Sequence, residues 1–296
     1  MVLAAMSSEY LHVAKTLARG ALLGLSASIK PGGLHRLAPG RNYDEVLCNI
    51  VSSIDFIVEA LEQGDRIRRG EQALTSIDLG RLLSSTIRES LRFCTGVHPQ
   101  YTLPLVVGSL SIGLSGVESI LEESSKFKKA LDLVNSISKW SSIKQVIDSL
   151  KIAGREDMYE HLSNLGYTQL ALVQAGVNFN DIYRALGSRW RSFLLIESRE
   201  ALVFTYLKKL SELYRKYESL ENSSVALYME LIRQHLAPDL ASKAQKAEEC
   251  GYMSTPECSK LMLELDIALR RSGRSFEWAS EVVTVAAAFA SFEGLK

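Results

Sequence analysis

Apolar residues recur at intervals of three and four positions along much of this chain, and this spacing constrains the fold more than any other feature of the sequence. In residues 44–63 it places a set of apolar side chains on one face of a helix, which Asp44 can cap and Gly64 can end. These side chains are Leu47, Ile50, Val51, Ile54, Ile57, Val58 and Leu61. The same spacing predicts helices over residues 79–93 and 201–217.

The C-terminal part of the chain and its most apolar stretch also predict helices. Thr255 followed by Pro256 is a helix-start signal, and a last helix is expected to begin near Ser275. The longest apolar stretch, residues 103–114, is shorter than the roughly 20 residues of a membrane span, so it predicts a buried core helix and no membrane partner. No Asn-Gly or Asp-Gly turn joins two alternating segments, so strands are not expected. Because no linker divides residues 1–296, we expect one all-α domain, a compact multi-helix array of orthogonal or bundle-like type.

The composition narrows the functional classes. Lys plus Arg and Asp plus Glu both number 34, and this balance argues against a nucleic-acid partner. The four cysteines are scattered, and even the closest two, Cys250 and Cys258, lack the CxxC spacing of a metal or redox site, so we expect reduced thiols. The first residues contain neither a basic region nor a cleavage pattern, so we expect a cytoplasmic protein. An exposed apolar helix face would allow a homodimer.

Residues 30–42 form the longest turn-rich stretch and the first candidate site. Their glycines allow backbone N–H groups to approach a phosphate, and four side chains add cationic donors. These side chains are Lys30, His35, Arg36 and Arg41. The alternative interpretation is an ordinary Pro/Gly connection with solvated charges.

Residues 94–102 form a second irregular stretch, which comes before the apolar helix. A helix start at this point offers free N–H groups and the positive end of a dipole to an anion, with His98 and Gln100 close by. The alternative is a plain turn between two helices, in which Pro104 begins the second helix.

The remaining candidates are acidic residues in the C-terminal third. Asp239, in residues 235–243, can either cap the helix that follows or bind a divalent cation. Asp266 and Glu281 lie in the last two predicted helices. For Asp266 the alternative is an exposed pair with Arg270 at i,i+4 spacing.

Taken in order, these stretches resemble the ATP:dephospho-CoA triphosphoribosyltransferases, or triphosphoribosyl-dephospho-CoA synthases, particularly their archaeal-type branch. The resemblance runs from about Leu11 to the C-terminus. Residues 30–36, Lys-Pro-Gly-Gly-Leu-His-Arg, look like the family's KPG-x-V-[DH]-R segment. Residues 95–97, Thr-Gly-Val, stand in the place of the start of its G-V-N-T-H-K-G motif. Residues 265–273 are similar to its L-D-x-x-L-R-x-x-G segment, and residues 282–289 to its small-residue final helix.

The resemblance implies an all-α fold and a reaction in which ATP loses adenine and its triphosphoribosyl group is joined to dephospho-CoA or a related acceptor, usually with Mg²⁺. Residues 238–243 are similar to a shortened P-D-[ST]-x-x-x-R-K stretch of the family. The phosphate- and nucleotide-binding residues that it implies are Lys30, Gly32, Gly33, His35, Arg36, His98 and Lys243. The catalytic acids that it implies are Asp239, Asp266 and Glu281, and Asp239 and Glu281 are also the implied metal ligands.

Two segments depart from the family's pattern. Residues 98–102 read His-Pro-Gln-Tyr-Thr where the family has Asn-Thr-His-Lys-Gly, so a phosphate-binding lysine is missing. Residues 275–277 read Ser-Phe-Glu in place of Asn-Pro-Gly, and Glu281 stands in place of an aspartate. These departures favour an alternative hypothesis, a nucleotide- or CoA-binding homologue that has lost catalysis.

Overall fold

The computed structural model describes residues 2–137, 139–168, 173 and 176–296, with side chains described from residue 9 onward. Within these residues the chain forms α-helices, short 3-10 turns and loops and contains no β-strand, which confirms the predicted all-α fold. The helices are α1 (Val2–Ser26), α2 (Asn42–Ser52), α3 (Ile54–Arg68), α4 (Leu79–Phe93), α5 (Pro99–Ser115), α6 (Ser124–Ser136), α7 (Trp140–Ile152), α8 (Glu156–Asn164), α9 (Phe179–Gly187), α10 (Leu202–Tyr217), α11 (Leu220–Ile232), α12 (Pro238–Cys250), α13 (Pro256–Arg271) and α14 (Glu277–Phe292).

The segment predicted as one helix over residues 44–63 forms two helices, because the chain turns at Ser53 between α2 and α3. The Ser53 hydroxyl donates to the carbonyl of Ile50 (2.7 Å) at this break. The prediction that Gly64 ends a helix is also wrong. Gly64 lies inside α3, and a Cβ there would overlap the carbonyl oxygen of Leu110, so this glycine allows the backbones of α3 and α5 to approach closely.

The apolar helix α5 lies at the centre of the molecule, as predicted for a core helix, and its side chains from Pro99 to Gly113 are buried. It begins at Pro99, so Pro104 lies inside the helix and the prediction that Pro104 starts it is wrong. A proline at this position leaves the carbonyl of Gln100 without its helical N–H donor. The Ser192 hydroxyl donates to that carbonyl instead (2.6 Å), which joins the loop before α10 to the start of α5.

The last helix, α14, is the second central element, and it packs along α1 and against α5, α10 and α11. It begins at Glu277, close to the predicted start. The helix signal at Thr255 is confirmed, since the Thr255 side chain accepts from the backbone N–H of Cys258 at the start of α13. Within the described residues, no helix is both long and apolar enough to traverse a bilayer.

The expectation of reduced cysteines is wrong. Cys48 on α2 is bonded to Cys94 just after α4, and Cys250 at the end of α12 is bonded to Cys258 in α13. Local sequence patterns do not signal the first bond, because its cysteines are 46 residues apart and only the packing of α2 against α4 brings them together. The second pair joins two helices across a tight turn at Gly251.

Candidate functional site

The loop of residues 30–36 is held inside the molecule by backbone hydrogen bonds to three helices. The amide of Gly32 donates to Asp266 Oδ1 on α13 (2.7 Å), and the amide of Leu34 donates to Ser280 Oγ on α14 (2.8 Å). On α11, the Tyr228 hydroxyl donates to the carbonyl of Pro31 (2.7 Å). These contacts hold the loop in place. We call residues 30–36, together with the side chains that contact them from α11, α13 and α14, the loop clamp.

The two glycines of this loop, Gly32 and Gly33, allow it to pack closely against the neighbouring helices. Gly33 lies so close to α11 and α14 that a Cβ would come within 2.6 Å of both the Tyr228 hydroxyl and Ser280 Oγ. Gly32 has a φ of +71°, a conformation that favours glycine, and its carbonyl accepts from the amide of Phe276 (2.8 Å) at the start of α14. Their backbone groups are therefore directed to the protein rather than to solvent.

Lys30 is fully buried and is not presented to solvent as a phosphate donor. Its ammonium donates to the carbonyl oxygens of Gly24 (2.6 Å) and Leu25 (3.0 Å) at the C-terminal end of α1. Burial lowers the pKa of Lys30 to about 7, and the negative charge of Glu221 only partly opposes this effect. In this structure Lys30 caps the end of α1.

Asp266 and His35 belong to the same clamp. Asp266 accepts from Arg270 Nε (2.9 Å), and Arg270 Nη2 in turn donates to the carbonyl of Gly33 (2.7 Å). Burial raises the pKa of Asp266, but its interactions with His35, Arg270 and the Gly32 amide together hold the pKa below its ordinary value. His35 is buried 3.8 Å from Asp266, and burial lowers its pKa despite this neighbour. The i,i+4 pair of Asp266 and Arg270 is thus a buried connection to the loop.

Arg36, Asp239 and Lys243 lie outside this interior. Arg36 donates to Ser28 Oγ (3.1 Å) and has its exposed guanidinium 3.8 Å from Glu221. Asp239 and Lys243 lie exposed on α12, which packs on α13. Asp239 is in the first turn of that helix but does not cap it, because the N-cap is Ala237 and no side chain accepts there.

The two implied Mg²⁺ ligands, Asp239 and Glu281, differ in their surroundings. Asp239 is exposed, whereas Glu281 is buried on α14. Within the described part of the chain, no group of three or more His, Cys, Asp or Glu side chains is arranged to hold a metal ion. Asp239 and Glu281 are therefore not members of such a group in these residues.

The second candidate stretch lies around His98, at the start of α5. His98 Nε2 lies 3.0 Å from Glu45 Oε2 on α2, and the backbone amide of His98 donates to Asn49 Oδ1 (2.9 Å). Asn49 Nδ2 also donates to the carbonyl of Gly96 (2.7 Å). Burial lowers the pKa of His98, while Glu45 opposes this shift. The segment before α5 is therefore positioned by α2.

Glu281 lies deep in the molecule, one turn into α14, and only 4% of its surface is exposed. Gln100 lies beside both Glu281 and a cation, since its side chain affects the pKa of Glu281 and its Oε1 accepts from Arg155 Nη1 (2.8 Å). The second carboxyl oxygen of Glu281, Oε2, is buried without a hydrogen-bond partner. Burial raises the pKa of Glu281 well above its ordinary value, Glu277 adds to this, and Arg155 and Gln100 oppose it. A buried acid with an unpaired oxygen is a feature typical of functional sites.

Three further side chains surround Glu281, and the motifs of the sequence assign none of them to a site. Arg155 comes just before α8 and pairs with Asp157 (2.8 Å). Tyr101 is buried on α5, and burial followed by the charges of Glu281 and Glu277 raises its pKa well above its ordinary value. We call Gln100, Tyr101, Arg155, Glu277 and Glu281 the Glu281 cluster. Glu277 is detectable as the acid four positions before Glu281, whereas nothing local in the sequence signals Arg155.

The structure thus divides the predicted residues into separate groups. Lys30, Gly32, Gly33, His35 and Asp266 belong to the loop clamp, where they bond to the protein itself. Glu281 belongs to the Glu281 cluster, and His98 interacts with the charges of Arg155 and Glu277 in that cluster. Asp239 and Lys243 lie on an exposed helix.

Comparison of the chain with models of known families, with curated proteins and with solved structures finds no match.

Proposed function

We propose that this protein is a divergent transferase that takes the triphosphoribosyl group of ATP, releases adenine and joins the group to dephospho-CoA or a related acceptor. The observation that carries the proposal is the buried carboxyl group of Glu281, which has an oxygen without a partner and a neighbouring cation, tyrosine and second carboxylate. The likeness of residues 30–36 and 265–273 to the triphosphoribosyl-dephospho-CoA synthases supports the choice of reaction.

The chemistry requires a proton donor and a negative charge near the ribose. The bond from C1′ to adenine breaks, and adenine leaves with the electron pair and takes up a proton. A hydroxyl oxygen of the acceptor then bonds to C1′ and loses its proton. Glu281 is suited to both transfers, because a raised pKa keeps its carboxyl protonated until it gives that proton to adenine, and the resulting carboxylate can accept the acceptor's proton.

The other members of the cluster have complementary roles in this proposal. The exposed carboxylate of Glu277 stabilises the positive charge that develops at C1′ as adenine leaves. Arg155, held by Gln100, supplies the positive charge that faces the Glu281 carboxylate once its proton has been transferred. His98 and its partner Glu45 border the same region.

The experiment is calorimetric titration with ATP and Mg²⁺, with and without dephospho-CoA, followed by chromatography of the samples for free adenine. We expect adenine release that depends on dephospho-CoA and falls at least about a hundredfold in Glu281→Gln, which keeps the size of the side chain but cannot transfer a proton. Glu264→Gln, on an exposed part of α13, is the matched control and should leave the rate unchanged. Full activity in Glu281→Gln would refute the role of Glu281.

A second candidate function is a homologue that binds a nucleotide or CoA-like ligand without turning it over. The loop clamp favours the loss of catalysis, because Lys30, Asp266 and Arg270 are hydrogen-bonded to the protein itself. In the same titration, heat of binding without adenine release would favour this candidate. Absence of binding to both ATP and dephospho-CoA would rule out both functions.

A further inference from the structure

An exposed arginine stacks on a tryptophan next to the Glu281 cluster, and a second exposed arginine is linked to that tryptophan through His235. The guanidinium of Arg191 lies 4.1 Å from the centre of the Trp278 ring, over its face. His235 meets the same ring edge-on at 5.6 Å, and the carbonyl of His235 accepts from Arg274 Nη1 (3.0 Å). Arg191, Arg274 and His235 are all exposed, and Trp278 is half-buried.

This group is connected to the Glu281 cluster by the helix that carries both. Trp278 precedes Glu281 by three positions on α14, so the two side chains are neighbours on adjacent turns, about 4.5 Å apart along the helix axis. On the other side, Arg191 is followed by Ser192, which donates to the carbonyl of Gln100. Arg191 therefore lies at the edge of the cluster, and Arg274 precedes the exposed cluster member Glu277 by three residues.

Both guanidinium groups have N–H donors that are available to a bound oxyanion. Neither Arg191 nor Arg274 forms an ion pair with a carboxylate in the part of the chain that the structure describes. Stacking on Trp278 restrains the planar guanidinium of Arg191 without using its N–H groups. An arginine restrained in this way loses little conformational entropy when it binds a planar or tetrahedral oxyanion through two hydrogen bonds.

We propose that Arg191, stacked on Trp278, and Arg274, hydrogen-bonded to the carbonyl of His235, bind the phosphate groups of the substrate at the edge of the Glu281 cluster. The inference deepens the proposed function and rests on it, since it assigns the phosphate binding that the buried Lys30 does not provide. The negative charge of Glu277, next to Trp278, opposes an anion at this edge, so the two arginines have to overcome it.

The test uses inorganic tripolyphosphate, which has the charge of the triphosphate chain but neither base nor ribose. We expect the wild-type protein to bind it in calorimetry, and Arg191→Ala and Arg274→Ala each to raise the Kd about tenfold or more. Arg191→Lys should give an intermediate Kd, because it keeps the charge but loses the planar pair of donors. Arg271→Ala removes the same charge from an exposed position at the end of α13 and should leave the Kd unchanged.

Two results would overturn the inference: no binding of tripolyphosphate to the wild-type protein, or an equal loss of affinity in Arg271→Ala and Arg191→Ala. Circular dichroism of each variant checks that it is folded. Titration with ATP and with dephospho-CoA separates the two sources of phosphate, since only the ligand whose phosphates lie here should lose affinity in Arg191→Ala. Tripolyphosphate binding without adenine release would refute the proposed reaction alone, whereas adenine release with unchanged affinity in Arg191→Ala would refute this inference alone.

Discussion

At the scale of single residues, carboxyl groups acquire different properties from their surroundings. Asp266 and Glu281 are both buried acids on consecutive helices, but their pKa values move in opposite directions. Asp266 accepts hydrogen bonds from Arg270 and the Gly32 amide and lies 3.8 Å from His35, and these contacts stabilise its charged form. Glu281 has one oxygen without a partner, so burial dominates and favours its neutral form.

We predict that the free energy of unfolding of Glu281→Gln increases relative to that of the wild type as the pH rises. In the wild type the unfolded chain loses the Glu281 proton above about pH 4.3, while the folded protein keeps it because its pKa is raised. The contribution of Glu281 to wild-type stability therefore falls with rising pH, by about 1.4 kcal/mol per pH unit between the two pKa values, and glutamine has no such dependence. Urea unfolding of both proteins at pH 5, 6.5 and 8 measures the difference, and a difference that is independent of pH would contradict the raised pKa.

At the scale of helices, each part of the candidate site depends on packing between distant segments. Glu45 and Asn49 on α2 hold the segment before α5 through hydrogen bonds to His98 and Gly96. The disulfide from Cys48 joins the same two segments covalently. We therefore expect the Cys48–Cys94 bond to support both global stability and the position of His98.

We predict that Cys48→Ser with Cys94→Ser destabilises the protein more than Cys250→Ser with Cys258→Ser. The first bond closes a loop with a sequence separation of 46 residues and the second a loop with a separation of 8, so loop closure favours the first by about 1.5 kcal/mol. Urea unfolding under non-reducing conditions measures both losses. Equal losses would indicate that chain entropy does not govern the contribution of these bonds.

At the scale of the whole molecule, most of the candidate residues lie in the loop clamp, beside or within the Glu281 cluster, or on the exposed helix α12. Of these three groups, the Glu281 cluster is the one that combines a buried acid lacking a partner with neighbouring charges. Asp239 and Lys243 lie on α12, which packs on α13 at the surface. The homodimer stays a prediction, as do the cytoplasmic location and the roles of ATP, Mg²⁺ and the CoA-like acceptor.

We predict that Asp239→Ala and Lys243→Ala leave the affinity for ATP and Mg²⁺ unchanged within about a factor of two, which corresponds to less than about 0.5 kcal/mol. Both side chains are exposed on α12 and neither reaches the Glu281 cluster through a contact in the described residues. Calorimetric titration of each variant measures the affinity. A tenfold loss in Asp239→Ala would restore this residue as a metal or nucleotide ligand.

The sequence by itself determined the helical class and the positions of several helices, because the period of apolar residues and the capping signals are local. The period over residues 79–93, for example, predicts the same bounds that α4 has. Sequence motifs also single out Glu281 and His98, which lie beside the charges of one cluster. Tertiary structure alone decided which polar side chains were buried and what they contacted. Lys30 became a buried cap of α1, and Arg155 became a neighbour of Glu281, because both outcomes depend on how the helices pack in three dimensions.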